Sequence, residues 1–234
     1  MINMDFSGWE KLSLVDFDDH IATTLFASGC NLRCPFCHNS SLVLTPKENP
    51  IIRWDDVLDY LERRKGVIDA VVITGGEPTL MPDLLEKMQE IKRLGYLIKL
   101  DSNGTNPDLL MDLVHLNLVD YIAMDIKNSL PKYGVTCGRP LMDTSKIEES
   151  IRFLINGVVD YEFRTTIIDE FHTNGDIERI GQMLEGAKRY YLQRYIDSEY
   201  CIERGFHEVP KEKALLFKAI ANKYIESVSL RGYE

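Results

Sequence analysis

The sequence predicts an α/β fold in which parallel strands are joined by crossover helices. Three observations carry this reading. Short apolar runs rich in β-branched residues alternate with stretches of helical period along most of the chain. Each run is brief, as strands of a buried parallel sheet are. The length, 234 residues, suits one domain with a full core or at most two small ones.

The expected strands are Thr23–Ala27, Ala70–Thr74, Leu97–Asp101, Tyr121–Asp125, Glu162–Ile168 and Tyr190–Arg194. Between them Trp54–Arg64, Met81–Leu94, Asp108–Leu116, Thr144–Ile155 and Asp176–Arg189 read as helices, and a last helix at about Lys211–Ser227 closes the chain. Six such units are fewer than the eight of a closed barrel. Low-complexity segments, linkers and composition shifts are lacking, so residues 1–234 read as a single domain.

Composition excludes several function classes. No stretch approaches the roughly 18 apolar residues of a membrane span, and the N-terminus lacks the charged-then-apolar order of a signal peptide, so a cytoplasmic protein is expected. A net charge of −10 with scattered basic residues argues against a nucleic-acid surface. The short run Glu62-Arg-Arg-Lys65 sits near a helix end, where cations suit the dipole.

Five cysteines make no disulfide framework. Three of them, Cys30, Cys34 and Cys37, stand in Gly29-Cys-Asn-Leu-Arg-Cys-Pro-Phe-Cys-His-Asn39 at spacings of four and three. A cubane iron–sulfur cluster takes one thiolate per iron, so three thiols would leave one iron open for something other than protein. An open position is the mark of a catalytic rather than a structural metal. Two other readings of the triplet stand beside this one. The cysteines would share one face of a helix and could fill a core, against which Pro35, Gly29 and Asn31 argue. Alternatively His38 would complete a zinc site of three sulfurs and one nitrogen, although zinc sites usually join two separated ligand pairs. Cys137 and Cys201 are isolated and read as structural or incidental.

Cys-x3-Cys-x2-Cys with Phe36 before the last cysteine resembles the signature of radical S-adenosylmethionine (SAM) enzymes. The continuation into His38 and Asn39 resembles the activating enzymes of glycyl-radical enzymes, above all those of anaerobic ribonucleoside-triphosphate reductase. The likeness runs from Leu12 to about Arg194. It implies a partial (β/α)6 barrel, open on one side, a [4Fe-4S] cluster on the three cysteines, and SAM at its open iron with Phe36 and His38 nearby.

The remaining blocks fall at strand ends. Gly75, Gly76 and Glu77 follow a buried run, and two glycines let backbone approach a ligand closely. By resemblance this segment holds the SAM amino group. Only 37 positions separate Cys37 from Thr74, which leaves no room for the extra ferredoxin-like clusters of some activating enzymes. Asp101, Ser102 and Asn103 end the third expected strand, and Asp125 and Lys127 the fourth. A buried carboxylate is expensive unpaired, so a cation or a lysine is expected beside these acids. The resemblance places these residues around the SAM ribose and carboxylate, and in some members around a monovalent cation. On the fifth strand residues 162, 164 and 166 share a face, and Arg164 offers a planar fork for a carboxylate, that of SAM or a nearby acid.

Two places depart from the family pattern. On the sixth strand, where related activators carry a histidine, stand Gln193 and Arg194. Asp18-Asp19-His20 replaces the usual Pro-Gly of the N-terminal segment. The terminal Arg231-Gly232-Tyr233 also echoes the residues around radical-bearing glycines, a three-residue match that chance produces readily.

The function these features imply together is that of an activase. One electron from a low-potential donor such as flavodoxin or ferredoxin would cleave SAM, and a hydrogen would leave a glycine of a partner, most simply anaerobic ribonucleotide reductase. Two alternatives are carried forward: a radical SAM enzyme acting on a small molecule, as the deazaguanine-forming enzymes do, and a zinc-stabilised binding module without catalysis.

Overall fold

The structure is a computed structural model, and it describes residues 5–233. All six expected strands form, and two more flank them. In chain order the strands are β1 (Phe6–Ser13), β2 (Ala22–Ala27), β3 (Ala70–Gly75), β4 (Leu97–Ser102), β5 (Tyr121–Asp125), β6 (Asp160–Ile167), β7 (Arg189–Arg194) and β8 (Ser227–Arg231). The sheet order follows chain order, β1 to β8. The helices are α1 (Ser40–Leu44), α2 (Trp54–Arg63), α3 (Leu84–Arg93), α4 (Pro107–His115), α5 (Leu130–Thr136), α6 (Ser145–Ile155), α7 (Asn174–Met183) and α8 (Lys211–Ala221), with a 3₁₀ turn at Pro78–Leu80. Among the described residues no helix is long and apolar enough to cross a membrane.

Two compact units divide the chain. The first takes the residues up to Asn31, Asn39–Ser102 and Asp108–Ile122. Its strands β2, β3 and β4 are parallel, and β1 lies antiparallel on β2 with Trp9 opposite Leu25. Period-2 alternation sorts the strand residues onto two faces. Val71, Ile73, Ile98 and Leu100 are fully buried on one, while Ala70, Val72, Thr74, Leu97, Lys99 and Asp101 lie on the other. At the strand starts of this second face Phe17, Ala22, Ala70 and Val72 form a small core with Leu97 and Tyr121. The Lys99 ammonium is buried there over the rings of Phe17 and Tyr121, and it donates to the Asp16 carbonyl (2.5 Å).

The second unit takes Leu32–His38, Asn103–Pro107 and Ala123–Glu234. Strands β6, β7 and β8 are parallel, with Thr166 beside Gln193 and Gln193 beside Arg231. Phe163, Thr165, Ile167, Tyr190, Leu192 and Val228 form its buried sheet face, and Ile151 of α6, Ile180 of α7 and Phe217 of α8 are buried as well. The closing helix stops at Ala221 rather than running to Ser227. Asn222 caps it, the Asn222 side chain accepts the Val228 N–H (3.1 Å), and Ser227–Arg231 leaves as a strand. Helix α7 likewise ends at Met183, short of the expected Arg189, because Gly186 turns the chain at φ 84° toward β7.

Candidate active site

In the first unit the loop between β2 and α1 begins with Gly29 at φ 81°, followed by half-buried Cys30. The turn after β3 packs on it backbone to backbone. Gly76 donates to the Ala27 carbonyl (2.8 Å) and Glu77 to the Gly29 carbonyl (2.8 Å). Both glycines are required by space: a Cβ on Gly75, whose φ is 109°, would stand 2.6 Å from the Ala27 backbone, and one on Gly76 would stand 1.9 Å from the Gly29 oxygen. Asn39 returns to the same turn, its amide donating to the Gly75 carbonyl (2.8 Å). The Glu77 carboxylate is buried. It accepts from Thr79 Oγ1 (2.6 Å) and Ser102 Oγ (2.9 Å) and so ties the ends of β3 and β4 together. Asp101 accepts from Thr74 Oγ1 (3.0 Å) on the sheet face they share.

In the second unit Cys34 is buried and Cys37 half-buried. The backbone turns between them, Cys37 donating to the Cys34 carbonyl (3.0 Å). A segment that follows β7 lies along this turn: Glu203 donates to the Pro35 carbonyl (2.7 Å), Ile202 to the Cys37 carbonyl (3.1 Å), and His38 Nε2 to the Ile196 carbonyl (2.6 Å). Phe36 is buried against Phe171. It also lines a cavity of about 10 Å³ with Asp125, Lys127, Arg164 and Thr166.

The lysine expected beside Asp125 is there, and an arginine joins it at this half-buried strand end. Lys127 Nζ lies 2.9 Å from one carboxylate oxygen and Arg164 Nε 3.0 Å from the other. Burial by itself would raise the Asp125 pKa. The charges and hydrogen bonds of Arg164 and Lys127 outweigh it and bring the value down to about 2. Lys127 is held protonated: burial opposes its charge, but Asp125 and the neighbouring Cys34 push its pKa upward. Of the two sixth-strand candidates, Gln193 pairs in register with Thr166 and so shares a face with Arg164, whereas Arg194 is exposed on the other face and bonds to Glu208. Asn103 is buried and accepts from Thr105 N–H (3.0 Å) in an Asx turn.

Two contributors to the site had no role assigned from the sequence. Asn39, read there only as part of the loop motif, is one. The other is His172, which is fully buried with Nδ1 accepting from the Ile168 N–H (3.0 Å). That fixes the proton on Nε2, which donates to the Lys127 carbonyl (3.1 Å) and holds the Asp125–Lys127 segment in place. Burial lowers the His172 pKa. The unfolded chain therefore binds a proton that the folded one refuses, and stability contributed by neutral His172 is lost as pH falls below the ordinary imidazole value, 6.5. Thermal unfolding of wild type and His172→Gln between pH 7.5 and 5 should show a steeper acid-side loss in wild type; parallel curves would count against it.

All five cysteines stand outside disulfides. Among the described residues no three His, Cys, Asp or Glu side chains converge on one ion, and a cubane does not need them to, because each thiolate takes its own iron. The chemistry of the donors fits such a cluster: three thiols stand outside disulfides, two of them half-exposed, and each can take one iron as a thiolate.

Residues 24–177 match the family model of the Radical SAM superfamily. The chain belongs to this superfamily. It is a radical SAM enzyme, and the family's cofactors are a [4Fe-4S] cluster and SAM. A putative glycyl-radical enzyme activating enzyme of Methanocaldococcus jannaschii is 33% identical over 236 residues, 96% of this chain and 95% of the relative. The 7-carboxy-7-deazaguanine synthase of Methanopyrus kandleri is 26% identical over 200 residues, 75% of this chain and 74% of that one. Among solved structures, SuiB of Streptococcus suis bound to S-adenosylmethionine superposes with a TM-score of 0.68 at 14% identity, over 87% of this chain and 48% of that chain. The radical SAM fold expected from the sequence, an α/β partial (β/α)6 barrel, is thereby borne out.

Proposed function

We propose that this radical SAM enzyme is an activase that takes a hydrogen atom from a glycine Cα of a partner glycyl-radical enzyme, the partner being anaerobic ribonucleotide reductase. The observation that carries the reading is near full-length similarity, on both sides, to a glycyl-radical enzyme activating relative, joined to the Cys-Pro-Phe-Cys-His-Asn loop. When bound, the cluster held by Cys30, Cys34 and Cys37 and its SAM would supply one-electron chemistry able to take a hydrogen atom from carbon.

The chain's own residues bind and orient. Cys30, Cys34 and Cys37 hold the cluster. Gly75, Gly76 and Glu77 bring backbone close to the SAM ammonium group. Lys127 and Arg164 stay charged on either side of Asp125 and offer N–H groups suited to carboxylate and ribose oxygens. Asp101, Ser102 and Asn103, at and just after the end of β4, take the same role by resemblance. Phe36 and His38 shape the loop, and the segment hydrogen-bonded along residues 35–38 fixes its backbone. A reducing cytoplasm and a low-potential flavodoxin or ferredoxin fit thiolate ligation.

The test mixes reduced protein, SAM and anaerobic ribonucleotide reductase of the same organism without oxygen and records the electron paramagnetic resonance spectrum. A doublet that vanishes when the reductase glycine becomes alanine is the expected result. SAM cleavage without a protein radical on any glycyl-radical enzyme of that organism would favour a small-molecule substrate, the chemistry of the deazaguanine synthase relative.

A further inference from the structure

Helix α5 touches two segments to which the cofactor assignments give separate tasks, and helix and segments all lie in the second unit. Its buried side is fastened to the strand end that carries Asp125 and Lys127. Tyr133, fully buried, donates its hydroxyl to the Asp125 carbonyl (3.3 Å). Asn128, which follows Lys127, is buried too, and its amide donates to Thr136 Oγ1 (2.9 Å) and to the Phe171 carbonyl (3.0 Å). Phe171 in turn packs on Phe36 of the cysteine loop.

The end of the helix lies against that same loop. Gly138 stops α5 at φ 69°, donating to the Val135 carbonyl (3.2 Å), and Arg139 donates to the Gly134 carbonyl (2.7 Å). This pairing is a common way to end a helix and by itself calls for no further role. Here both backbone groups of Arg33, the residue before Cys34, meet it. The Arg33 N–H donates to the Cys137 carbonyl (2.9 Å), and a Cβ on Gly138 would stand 2.2 Å from the Arg33 oxygen and 2.7 Å from its carbon. Gly157 shows a similar turn without such a neighbour. It follows α6 at φ 72° and donates to the Leu154 carbonyl (2.8 Å), and its Cβ would meet nothing closer than 3.6 Å, at the flexible end of Lys188.

We infer that Thr136, Cys137 and Gly138 are positioning residues that clamp the Cys34 part of the cluster loop to the strand end carrying Asp125 and Lys127, and so set the spacing between the Cys34 sulfur and that pair. The inference rests on the assignment of Cys34 to the cluster and of Asp125 and Lys127 to SAM. Buried hydrogen bonds on one side and backbone-on-backbone contact on the other leave α5 little freedom. Reacting groups need such support, because a shift of a fraction of an ångström already costs rate. None of the three residues is assigned to iron or to SAM; they act through Arg33 and Asn128. The contact uses the Cys137 carbonyl and not its sulfur, so the thiol is dispensable.

The experiment reconstitutes the full-length protein without oxygen, measures bound iron and melting temperature, and titrates SAM into the reduced cluster while its electron paramagnetic resonance signal is followed. Thr136→Val removes the acceptor and keeps the shape. It should bind wild-type iron and need roughly three- to tenfold more SAM, the size of one hydrogen bond, whereas Thr136→Ser keeps the hydroxyl and should stay within about twofold of wild type. A packing role alone would give the reverse order, since serine loses a methyl group and valine does not. Gly138→Ala and Gly157→Ala carry the same left-handed strain, so both should melt lower than wild type, but only Gly138→Ala should hold less than half the wild-type iron. Should Gly138→Ala not fold, the Thr136 pair decides alone. Wild-type SAM affinity in Thr136→Val, or equal iron in the two glycine variants, overturns the clamp. Lys127→Ala reports separately: SAM affinity unmoved there sinks the site assignment and the clamp with it, and affinity lowered there but in neither α5 variant sinks the clamp alone.

Discussion

Alanine in place of any one of Cys30, Cys34 or Cys37 is expected to bring bound iron to background and abolish SAM cleavage, whereas Cys137→Ala and Cys201→Ala should keep close to four irons per chain. The triplet has no fourth cysteine to substitute, and a cubane with two protein thiolates would leave two irons exposed. The two spared thiols are both occupied elsewhere. Cys137 is buried at the end of α5 against the Gly134 carbonyl and Met142. Cys201 lies near Tyr195 and Ser198, in the segment whose Ile202 N–H bonds the Cys37 carbonyl. Its sulfur also approaches the Ile196 carbonyl that His38 bonds, and none of these contacts is with a triplet thiol, so losing the thiol should cost packing and leave the cluster. Anaerobic reconstitution followed by iron analysis decides: a cluster lost in Cys201→Ala, or retained in Cys34→Ala, would refute the three-thiolate assignment.

How far the sequence could be read depended on whether a feature was local. The six inner strands were legible because each is a short apolar run between helical stretches, most with β-branched residues and β7 with paired tyrosines. Strand β1 was not. Gly8, Glu10 and Lys11 dilute its apolar content, and irregularities at Phe6/Gly8 and Glu10/Ser13 break the period of two. Strand β8 was hidden because Ser227–Arg231 follows helix α8 after only a few residues, and its boundary is fixed by the Asn222 side chain reaching Val228. The cysteine triplet was legible by spacing, and the Asp125–Lys127 pair by the cost of burying an acid alone. That Arg164 would complete it follows only once β5 and β6 are neighbours, as the bond from Ile126 N–H to the Arg164 carbonyl (2.7 Å) shows. Gln193 and Arg194 could not be told apart without register, since a shift of one residue exchanges the two faces of a strand.

Gly76→Val is expected to damage the cysteine loop before it touches SAM. From sequence the argument for Gly76 is room for a ligand. The structure gives a nearer neighbour: a Cβ at this position would lie 1.9 Å from the Gly29 oxygen and 2.7 Å from its carbon. Those are backbone atoms, so no side chain can swing aside. Gly29 is itself held at φ 81° and accepts the Glu77 N–H, so either the Gly75–Glu77 turn or the backbone leading into Cys30 must move. Overpacking of this kind costs about 3 kcal/mol, and here the displaced atoms adjoin a proposed cluster ligand. The expected outcome is a lower melting temperature together with less than half the wild-type iron, and Gly76→Ala should fail in the same way because the first carbon already collides. Gly175→Ala serves as the contrast. Its Cβ would meet nothing closer than 3.7 Å, at the flexible end of Arg179, and alanine in the first turn of α7 is neutral or stabilising by up to about 1 kcal/mol. Wild-type iron content and melting temperature in Gly76→Ala would remove the Gly29 contact from the account; full iron with SAM affinity alone reduced would return Gly76 to the role of ligand clearance.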